Sequence, residues 1–475
     1  MENLKFGTGG LRGIMGDGEN QLNAGIIRKT TCGLVEYILN KDFMGKDPKE
    51  MGIVIAYDSR NNSYAFSKEA ALILVANGIK TYIFEGMRST PELSFAVRSL
   101  GCAAGIVITA SHNPKEYNGF KVYSETGAQL LPDEDKKISE YSKDFSDFSE
   151  LDVSLLNVLP KEQDEKYVNA VLETMINGNV AKDIAITYTP LFGTGFWPIR
   201  EILYRAGFEN LNIVLEQAEE NGDFPGISAP NPENLDVFEM AIVKAKQVGS
   251  DIILATDPDA DRLGVMILGK DGEYTALSGN MLAVLMLDYI ITHKKMPENA
   301  MVVATNVSTP MVKKIAVENN ISCEFVKPGF KYVAEKIDAL GNNFIFGFEE
   351  NGGFLHATHT RDKDAISTAL LVCEMASYYK EKSLTLLEKL ELLYQKYGYF
   401  LEKNKSINLK QICDFSRVPL CYNIDSGFAI VRKSGTEPKL KLYFGANGDV
   451  KEEAENRLNS IIDKVMVDIE ELKKS

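Results

Sequence analysis

A β-branched apolar run that stops abruptly at turn or charged residues occurs three times along this chain: GIVIAYDSR from Gly52, DIAITYTPLFGTG from Asp183 and MVVATNVSTP from Met301. Apolar residues at consecutive rather than alternate positions are the pattern of a parallel strand covered on both faces. A helix-like stretch follows each run, and then a second short strand: Lys80 to Phe84, Leu211 to Leu215 and Ile321 to Val326. This βαβ rhythm predicts three related α/β units. A later strand in each unit runs into a polar loop: GIVITASHNP from Gly105, DIILATDPDADR from Asp251 and NFIFGFEENGG from Asn343. Open parallel sheets bind ligands beyond the carboxyl ends of their strands, so the three loops are expected to face one shared cleft.

At 475 residues the chain has room for several such units. After Ala369 the pattern turns helical and is expected to form a connector reaching Gly398. A fourth unit follows, with strand-like FAIVR, the loop KSGTEP, strand-like KLKLYF and a last helix. That helix carries Ala454, Leu458, Ile461, Ile462, Val465, Ile469 and Leu472 at helical spacing, a stripe suited to a core. The formal charge of −15 argues against general attraction to nucleic acid or an anionic membrane. An anionic substrate must therefore meet a local basic site. The N-terminus has no signal-peptide pattern, and the best apolar run, Met281 to Leu287, is cut off by Asp288. A cytoplasmic protein is expected. Six cysteines without CxxC spacing fit reduced, mostly buried thiols. Nothing in the sequence sets an oligomeric state.

The polar loops carry the chemistry. Asp257, Asp259 and Asp261 alternate in DPDADR directly after an apolar strand, and clustered hard oxygen donors suit magnesium or calcium. An EF-hand is excluded, because its sixth position would be Arg262 and its twelfth Leu268. Ser111 ends the apolar strand of TASHNPKEYNGFKVY without a GxSxG elbow, which disfavours acyl transfer and leaves phosphoryl transfer as the better chemistry. In RKSGTEPKLK, Arg432, Ser434, Gly435 and Thr436 combine a guanidinium, two hydroxyls and a glycine, the parts of a phosphate cradle. The opening GTGGLRG, with Arg12, has neither Rossmann nor Walker spacing. Glu349 and Glu350 are neighbours on one strand, so they point to opposite sides and do not flank one glycosidic bond. Sugar binding is the better reading of Glu349, Glu350 and Asn351.

TASHNPKEYNGFK, DPDADR, GFEEN and RKSGTEPK, in this order and one per unit, resemble the α-D-phosphohexomutase superfamily, most closely its phosphoglucomutase branch. The likeness spans essentially the whole chain. It implies an α/β protein of three similar mixed α/β/α domains plus a smaller α+β C-terminal domain around a central cleft, with units at residues 1–152, 160–270, 271–382 and 398–475. It implies magnesium-dependent interconversion of hexose 1-phosphate and hexose 6-phosphate through phosphoserine and a hexose 1,6-bisphosphate intermediate or activator. By this resemblance Ser111 is the phosphoserine, and Asp257, Asp259 and Asp261 hold Mg2+ against its phosphate. Arg262 stabilises transferring charge, Arg12, His112 and Lys121 surround the phosphoserine, and Lys121 is a candidate general acid–base. Glu349 and Asn351 read the sugar, while Arg432, Ser434, Gly435 and Thr436 hold the non-reacting phosphate. Gly329 and Lys331 in KPGFKY and Lys363 in TRDKD match further substrate-side positions.

Two positions depart from the family pattern. Asn351 stands where most relatives carry serine, and Gly353 where many carry histidine, leaving His356 or His359 as possible substitutes. The glutamate pair favours glucose over mannose. The alternatives are a phosphomannomutase or another phosphohexose or phosphopentose mutase and, more remotely, a sugar-phosphate-binding protein without turnover.

Overall fold

The three recurring runs become the central strands of three sheets. In the computed structural model, which describes residues 4, 6–7, 9–143, 152–408, 421–424, 427–433 and 439–474, the first sheet contains β1 (Phe6–Gly7), β2 (Gly10–Ile14), β3 (Ile53–Tyr57), β4 (Thr81–Phe84), β5 (Ala104–Ile108), β6 (Tyr117–Ser124) and β7 (Leu156–Leu159). The second contains β8 (Ile186–Thr189), β9 (Leu211–Ile213), β10 (Ile252–Thr256), β11 (Leu263–Leu268) and β12 (Tyr274–Leu277). The third contains β13 (Met301–Thr305), β14 (Ser322–Val326), β15 (Phe344–Glu349) and β16 (Gly353–Leu355).

Each apolar run pairs in parallel on both sides, with β4, β9 or β14 on one and β5, β10 or β15 on the other. The strand after each polar loop returns antiparallel. The orders β4-β3-β5-β6, β9-β8-β10-β11 and β14-β13-β15-β16 are therefore one topology used three times. Every residue of β3, β5 and β10 is buried. At about 1.5–3 kcal/mol for each fully buried Val, Leu or Ile side chain, burial fixes these short strands firmly. The polar loops are held at the sheet ends as a result.

Two of the sheets draw an edge strand from further along the chain. The first sheet takes β7, beyond residue 152, and the second takes β12, beyond residue 270. The expected connector is no linker: helix Ala365–Glu381 is buried along nearly its whole length and belongs to a core common to the second and third units. Apolar residues lie on every side of it, with Ser367, Thr368, Glu374 and Ser377 buried among them, as in a helix enclosed all round.

The fourth unit is an antiparallel sheet, β17 (Tyr399–Asn408), β18 (Cys421–Ile424), β19 (Gly427–Lys433) and β20 (Lys439–Gly448), in the order β17-β20-β19-β18. Helix Lys451–Lys474 covers it with Ala454, Leu458, Ile461, Ile462, Val465 and Ile469 buried, as the stripe predicts. Cys32, Cys102 and Cys373 are buried, whereas Cys421 is exposed; Cys413 lies outside the described residues. Among the described residues no helix is long and apolar enough to cross a membrane.

Candidate active site

Ser111 follows β5 in a left-handed turn, φ 52°, a conformation that costs a non-glycine residue energy and must be held by its surroundings. Arg60 does the holding. Its guanidinium donates to the carbonyls of Ser111 at 2.5 Å, Pro114 at 2.8 Å and Tyr117 at 3.0 Å, and to that of Asn113. Asp58 stands 3.4 Å from Arg60 Nε and accepts from Thr109 Oγ1 at 2.5 Å and Ser63 Oγ at 2.7 Å. Thr109 Oγ1 in turn accepts from the Ser111 N–H at 2.7 Å. Burial pushes the Arg60 guanidinium down to about 10, so it is still charged at neutral pH.

The acidic loop follows β10 and meets that serine. The Ser111 hydroxyl donates to Asp257 Oδ2 at 2.7 Å, while Asp257 Oδ1 accepts from the N–H groups of Asp261 and Arg262 at 3.1 Å each. The loop is fixed from the first unit by Thr90, whose N–H donates to the Asp259 carbonyl at 2.9 Å and whose hydroxyl donates to Asp259 Oδ2 at 2.8 Å. Gly193 closes the other side: a Cβ there would lie 2.4 Å from Pro258 Cα, so only glycine permits the approach.

The three aspartates offer carboxylate oxygens within 4.8 Å of one another. Asp259 Oδ1 and Asp261 Oδ1 are buried with no hydrogen-bond partner. Unpartnered buried carboxylate oxygens on hard donors converge as a divalent-cation site requires. Burial and the neighbouring Asp259 and Asp261 push the Asp257 carboxyl well up. Burial also acts against ionisation of Asp259, but Lys121 outweighs it and holds that carboxyl well below the usual range.

Cations from all four units surround the loop. Lys121 Nζ lies 2.6 Å from Asp259 Oδ2 and 3.3 Å from Asp261 Oδ2, and Lys363 Nζ lies 3.2 Å from Asp261 Oδ2. Burial opposes the Lys121 charge, yet Asp259 and Asp261 raise its pKa above that of an ordinary lysine. Arg262 stands 3.5 Å from Glu233 Oε2. Arg12 donates to Asn113 Oδ1 at 2.8 Å. His112 Nδ1 is 3.1 Å from Ser111 Oγ, and burial, reinforced by Arg262 and Arg12, pushes this imidazole well down into the neutral form.

These groups line one cleft with Gly329, Glu349, Asn351, Arg432 and Lys441. The local basic site required of an acidic chain is present. Glu349 Oε1 accepts from the Gly329 N–H at 3.1 Å, while Glu350, in the turn directly after β15, points away and accepts from Thr305 Oγ1 at 3.3 Å. Asn351 Oδ1 is buried and unpartnered. Arg432 Nε donates to Tyr443 OH at 3.2 Å. Ser434, Gly435 and Thr436 lie outside the described residues.

Lys331 does not line the cleft. It stands in the first turn of helix Phe330–Leu340 and donates to the Leu130 carbonyl at 3.1 Å and to Asp135 Oδ2 at 3.3 Å, tying the third unit to the first. Neither histidine replaces the one missing at Gly353. His359 Nε2 donates to Asp364 Oδ2 at 2.7 Å, and burial pushes His356 down to about 3. A Cβ on Gly353 would fall 2.1 Å from Lys363 Cδ, so the stem of Lys363 fills the space where a side chain at 353 would go.

Sequence reasoning passed over Asp58, Arg60, Thr90, Gln129 and Lys441. Lys441 was open to discovery: a hairpin around KSGTEP pairs Lys441 with Arg432, which places both on one face. Arg60 and Asp58 sit in a polar turn after β3, and nothing local shows that their partners are carbonyls some fifty residues onward.

Comparison with known proteins matches this geometry. The family models for Phosphoglucomutase/phosphomannomutase alpha/beta/alpha domains I, II and III match residues 3–147, 165–269 and 278–397. The phosphoglucomutase of Staphylococcus aureus (strain bovine RF122 / ET3-1) is 33% identical over 517 residues, covering 97% of this chain and 92% of that protein. Among solved structures, a putative phosphomannomutase from Thermus thermophilus shares the fold with a TM-score of 0.77 at 20% identity, over 98% of this chain and 99% of that one. The Aspergillus fumigatus N-acetylphosphoglucosamine mutase in complex with GlcNAc-6P and magnesium does so with a TM-score of 0.60 at 14% identity, over 98% and 96%. Three domain models falling in order on three copies of one sheet topology, with a third of positions shared along nearly the full length, place this chain in the phosphoglucomutase/phosphomannomutase family of phosphohexomutase isomerases.

Proposed function

We propose that the protein is a magnesium-dependent phosphoglucomutase that interconverts glucose 1-phosphate and glucose 6-phosphate through phosphorylated Ser111. The observation that carries this reading is the meeting of Ser111 Oγ with Asp257 at 2.7 Å, beside two aspartates with unpartnered buried oxygens. Asp257, Asp259 and Asp261 would hold the ion, the cation named for the Aspergillus mutase. Magnesium bound there supplies positive charge to the oxygens of a phosphoryl group in flight.

The chain supplies the rest. A sugar hydroxyl oxygen bonds to phosphorus as the bond from phosphorus to Ser111 Oγ breaks, and Arg262 at the same loop neutralises the charge that spreads over the transferring group. His112, 3.1 Å from Ser111 Oγ, stands at the serine oxygen, and Lys121, held between Asp259 and Asp261, is the candidate general acid–base of the cleft. The sugar then carries two phosphates. Arg432 and Lys441, with Ser434, Gly435 and Thr436, anchor the phosphate that is not reacting, and Glu349 and Asn351 take sugar hydroxyls. After the bisphosphate turns over in the cleft, the other phosphate returns to Ser111. Glucose rather than mannose is supported by the glutamate pair and by the phosphoglucomutase relatives at 33% identity.

The test is direct. Purified protein with glucose 1-phosphate, magnesium and a trace of glucose 1,6-bisphosphate should form glucose 6-phosphate, and Ser111→Ala should abolish turnover. Undiminished turnover in that variant would refute the phosphoserine route, and a higher kcat/KM for mannose 1-phosphate would refute the sugar assignment.

A further inference from the structure

The cleft sorts its lining side chains by charge. Arg12, Lys121, Arg262, Lys363, Arg432 and Lys441 offer cations to phosphate, whereas the lining side chains with a neutral hydroxyl or amide are Ser111, Asn351 and Gln129. Ser111 is committed to the transfer, and Asn351 stands in the sugar loop. Gln129 belongs to none of the four motif loops and has no task in the reaction as derived so far.

A tight hairpin places it. β6 ends at Ser124, and the chain turns back at Gly127, φ 83°, where a Cβ would lie 2.6 Å from the Ser94 carbonyl oxygen. On the return the Ser124 N–H donates to the Ala128 carbonyl at 2.8 Å and the Leu130 N–H to the Val122 carbonyl at 3.0 Å, so Gln129 pairs antiparallel with Tyr123. Directly paired residues put their side chains on one face, and residues two apart along a strand share that face. Gln129 therefore stands on the face of β6 that carries Lys121 to Asp259 and Tyr123 OH to Asp362, and it borders the cleft as Lys121 does. Lys331 Nζ donates to the carbonyl of the next residue, Leu130, at 3.1 Å, which fixes this stretch at the seam of the first and third units.

The backbone of Gln129 is held, yet among the described residues its amide makes no hydrogen bond to the protein. The residue is half-buried: Nε2 lies in the covered part without a partner, and the side chain borders the cleft. An amide left unpaired in a partly buried place is costly, and a ligand that bonds it removes the cost. A hydroxyl both donates and accepts, so it suits either end of the amide, whereas a phosphate oxygen suits only the amide's N–H groups. We propose that Gln129 is a sugar-recognition residue, its carboxamide bonding one ring hydroxyl of the hexose phosphate. This assignment rests on the phosphosugar reading of the cleft and deepens it: charged groups take the phosphates, and two uncharged amides, Gln129 from the first unit and Asn351 from the third, take the sugar between them.

Calorimetric binding to the full-length Ser111→Ala protein, which holds ligand without turning it over, tests the contact. The ligands are glucose 1-phosphate and its 2-deoxy, 3-deoxy and 4-deoxy analogues. Adding Gln129→Met, which keeps the length of the side chain and removes its hydrogen bonds, should weaken glucose 1-phosphate about three- to tenfold, the scale of one neutral hydrogen bond. The loss should vanish for the one analogue that lacks the bonded hydroxyl and persist for the other two. Gln129→Leu repeats the comparison, and because each variant is compared with itself across four ligands, a general loss of folded protein cannot imitate the pattern. An unchanged Kd for glucose 1-phosphate, or a loss of equal size for all four ligands, would overturn the assignment while leaving the mutase reading standing. Protein that binds glucose 1-phosphate but, with Ser111 intact, does not convert it would refute the mutase reading and still let the four-ligand pattern decide on Gln129. Failure of both the parent and the Ser111→Ala protein to bind glucose 1-phosphate would overturn both.

Discussion

The two halves of the cleft are built differently. On the side where the first and second units meet, side chains are tied down before any ligand arrives: Arg60 on four carbonyls, Thr90 on Asp259, Lys121 on two aspartates, Asp257 on Ser111. On the side formed by the third and fourth units, Asn351 Oδ1 has no partner and, among the described residues, the Arg432 guanidinium donates to Tyr443 OH alone. The difference follows from the two tasks. Phosphoryl transfer depends on fixed in-line geometry, so the reacting half is over-determined. The other half must grip first one end of a sugar and then the other, so its polar groups are kept for the ligand.

That contrast predicts different kinetic signatures. Arg60→Met removes the donors that hold Ser111 in its left-handed turn while deleting no cleft-lining side chain. kcat should fall about 10²–10³-fold, the scale on which catalytic groups displaced by an ångström lose rate, with KM changed by no more than about twofold. Because the variant strands Asp58 in the interior, at about 3–5 kcal/mol for a broken buried pair, stability must be measured beside it. Asp58→Asn/Arg60→Met should regain stability without regaining turnover. A large KM effect with normal kcat would erase the distinction between the halves.

Arg432→Met tests the opposite half. Losing a charged donor to a phosphate removes about 1.5–3 kcal/mol of binding, so KM should rise about 10–100-fold while kcat changes less. Gly353→Ala should act more gently. The added methyl collides with Lys363 Cδ and pushes its ammonium from Asp261, where it sits at 3.2 Å. Overpacking costs of about 1–2 kcal/mol translate to roughly a tenfold loss in kcat/KM. An unchanged steady-state profile would show that the Lys363 stem does not need the bare glycine.

Legibility in the sequence follows the same physical line. β3, β8 and β13, with the polar loops after β5, β10 and β15, were readable because burial on both faces forces unbroken apolar runs. β17 was not, since YFLEKNKSIN is mostly polar and half-exposed and carries no such run. Helix Ala365–Glu381 reads as a connector because no polar face separates from an apolar one along it, and its burial between two units is a tertiary fact. The structure brings the motif residues Ser111, Asp257, Asp259, Asp261, Arg262 and Glu349 together around one cleft. Lys331 parts from its motif because one helical position decides whether a side chain meets the cleft or the Asp135 seam.

Glu350 gives the smallest effect and bears on why the recognising half tolerates a carboxylate that no substrate meets. Burial, with repulsion from Glu349 and Glu233, pushes its carboxyl up to about 7. A buried acid raised above its unfolded value is protonated in the native state at low pH and costs nothing there. As pH climbs past the unfolded value near 4.3, the unfolded chain releases this proton while the native chain keeps it, so stability declines until the native group also ionises around 7. Glu350→Gln keeps an acceptor for Thr305 and removes the titration. Its thermal midpoint should match the parent near pH 4.5 and exceed it by a few degrees at pH 8, about 2–4 kcal/mol on the scale of 1.36 kcal/mol per pKa unit. Gln at 350 leaves Glu349, its Gly329 bond and the phosphate anchor untouched, so kcat/KM should hold while the pH slope of stability flattens. A variant that loses activity instead would move Glu350 from the back of the sheet to the working side of the cleft, and the division between the two halves would have to be redrawn around it.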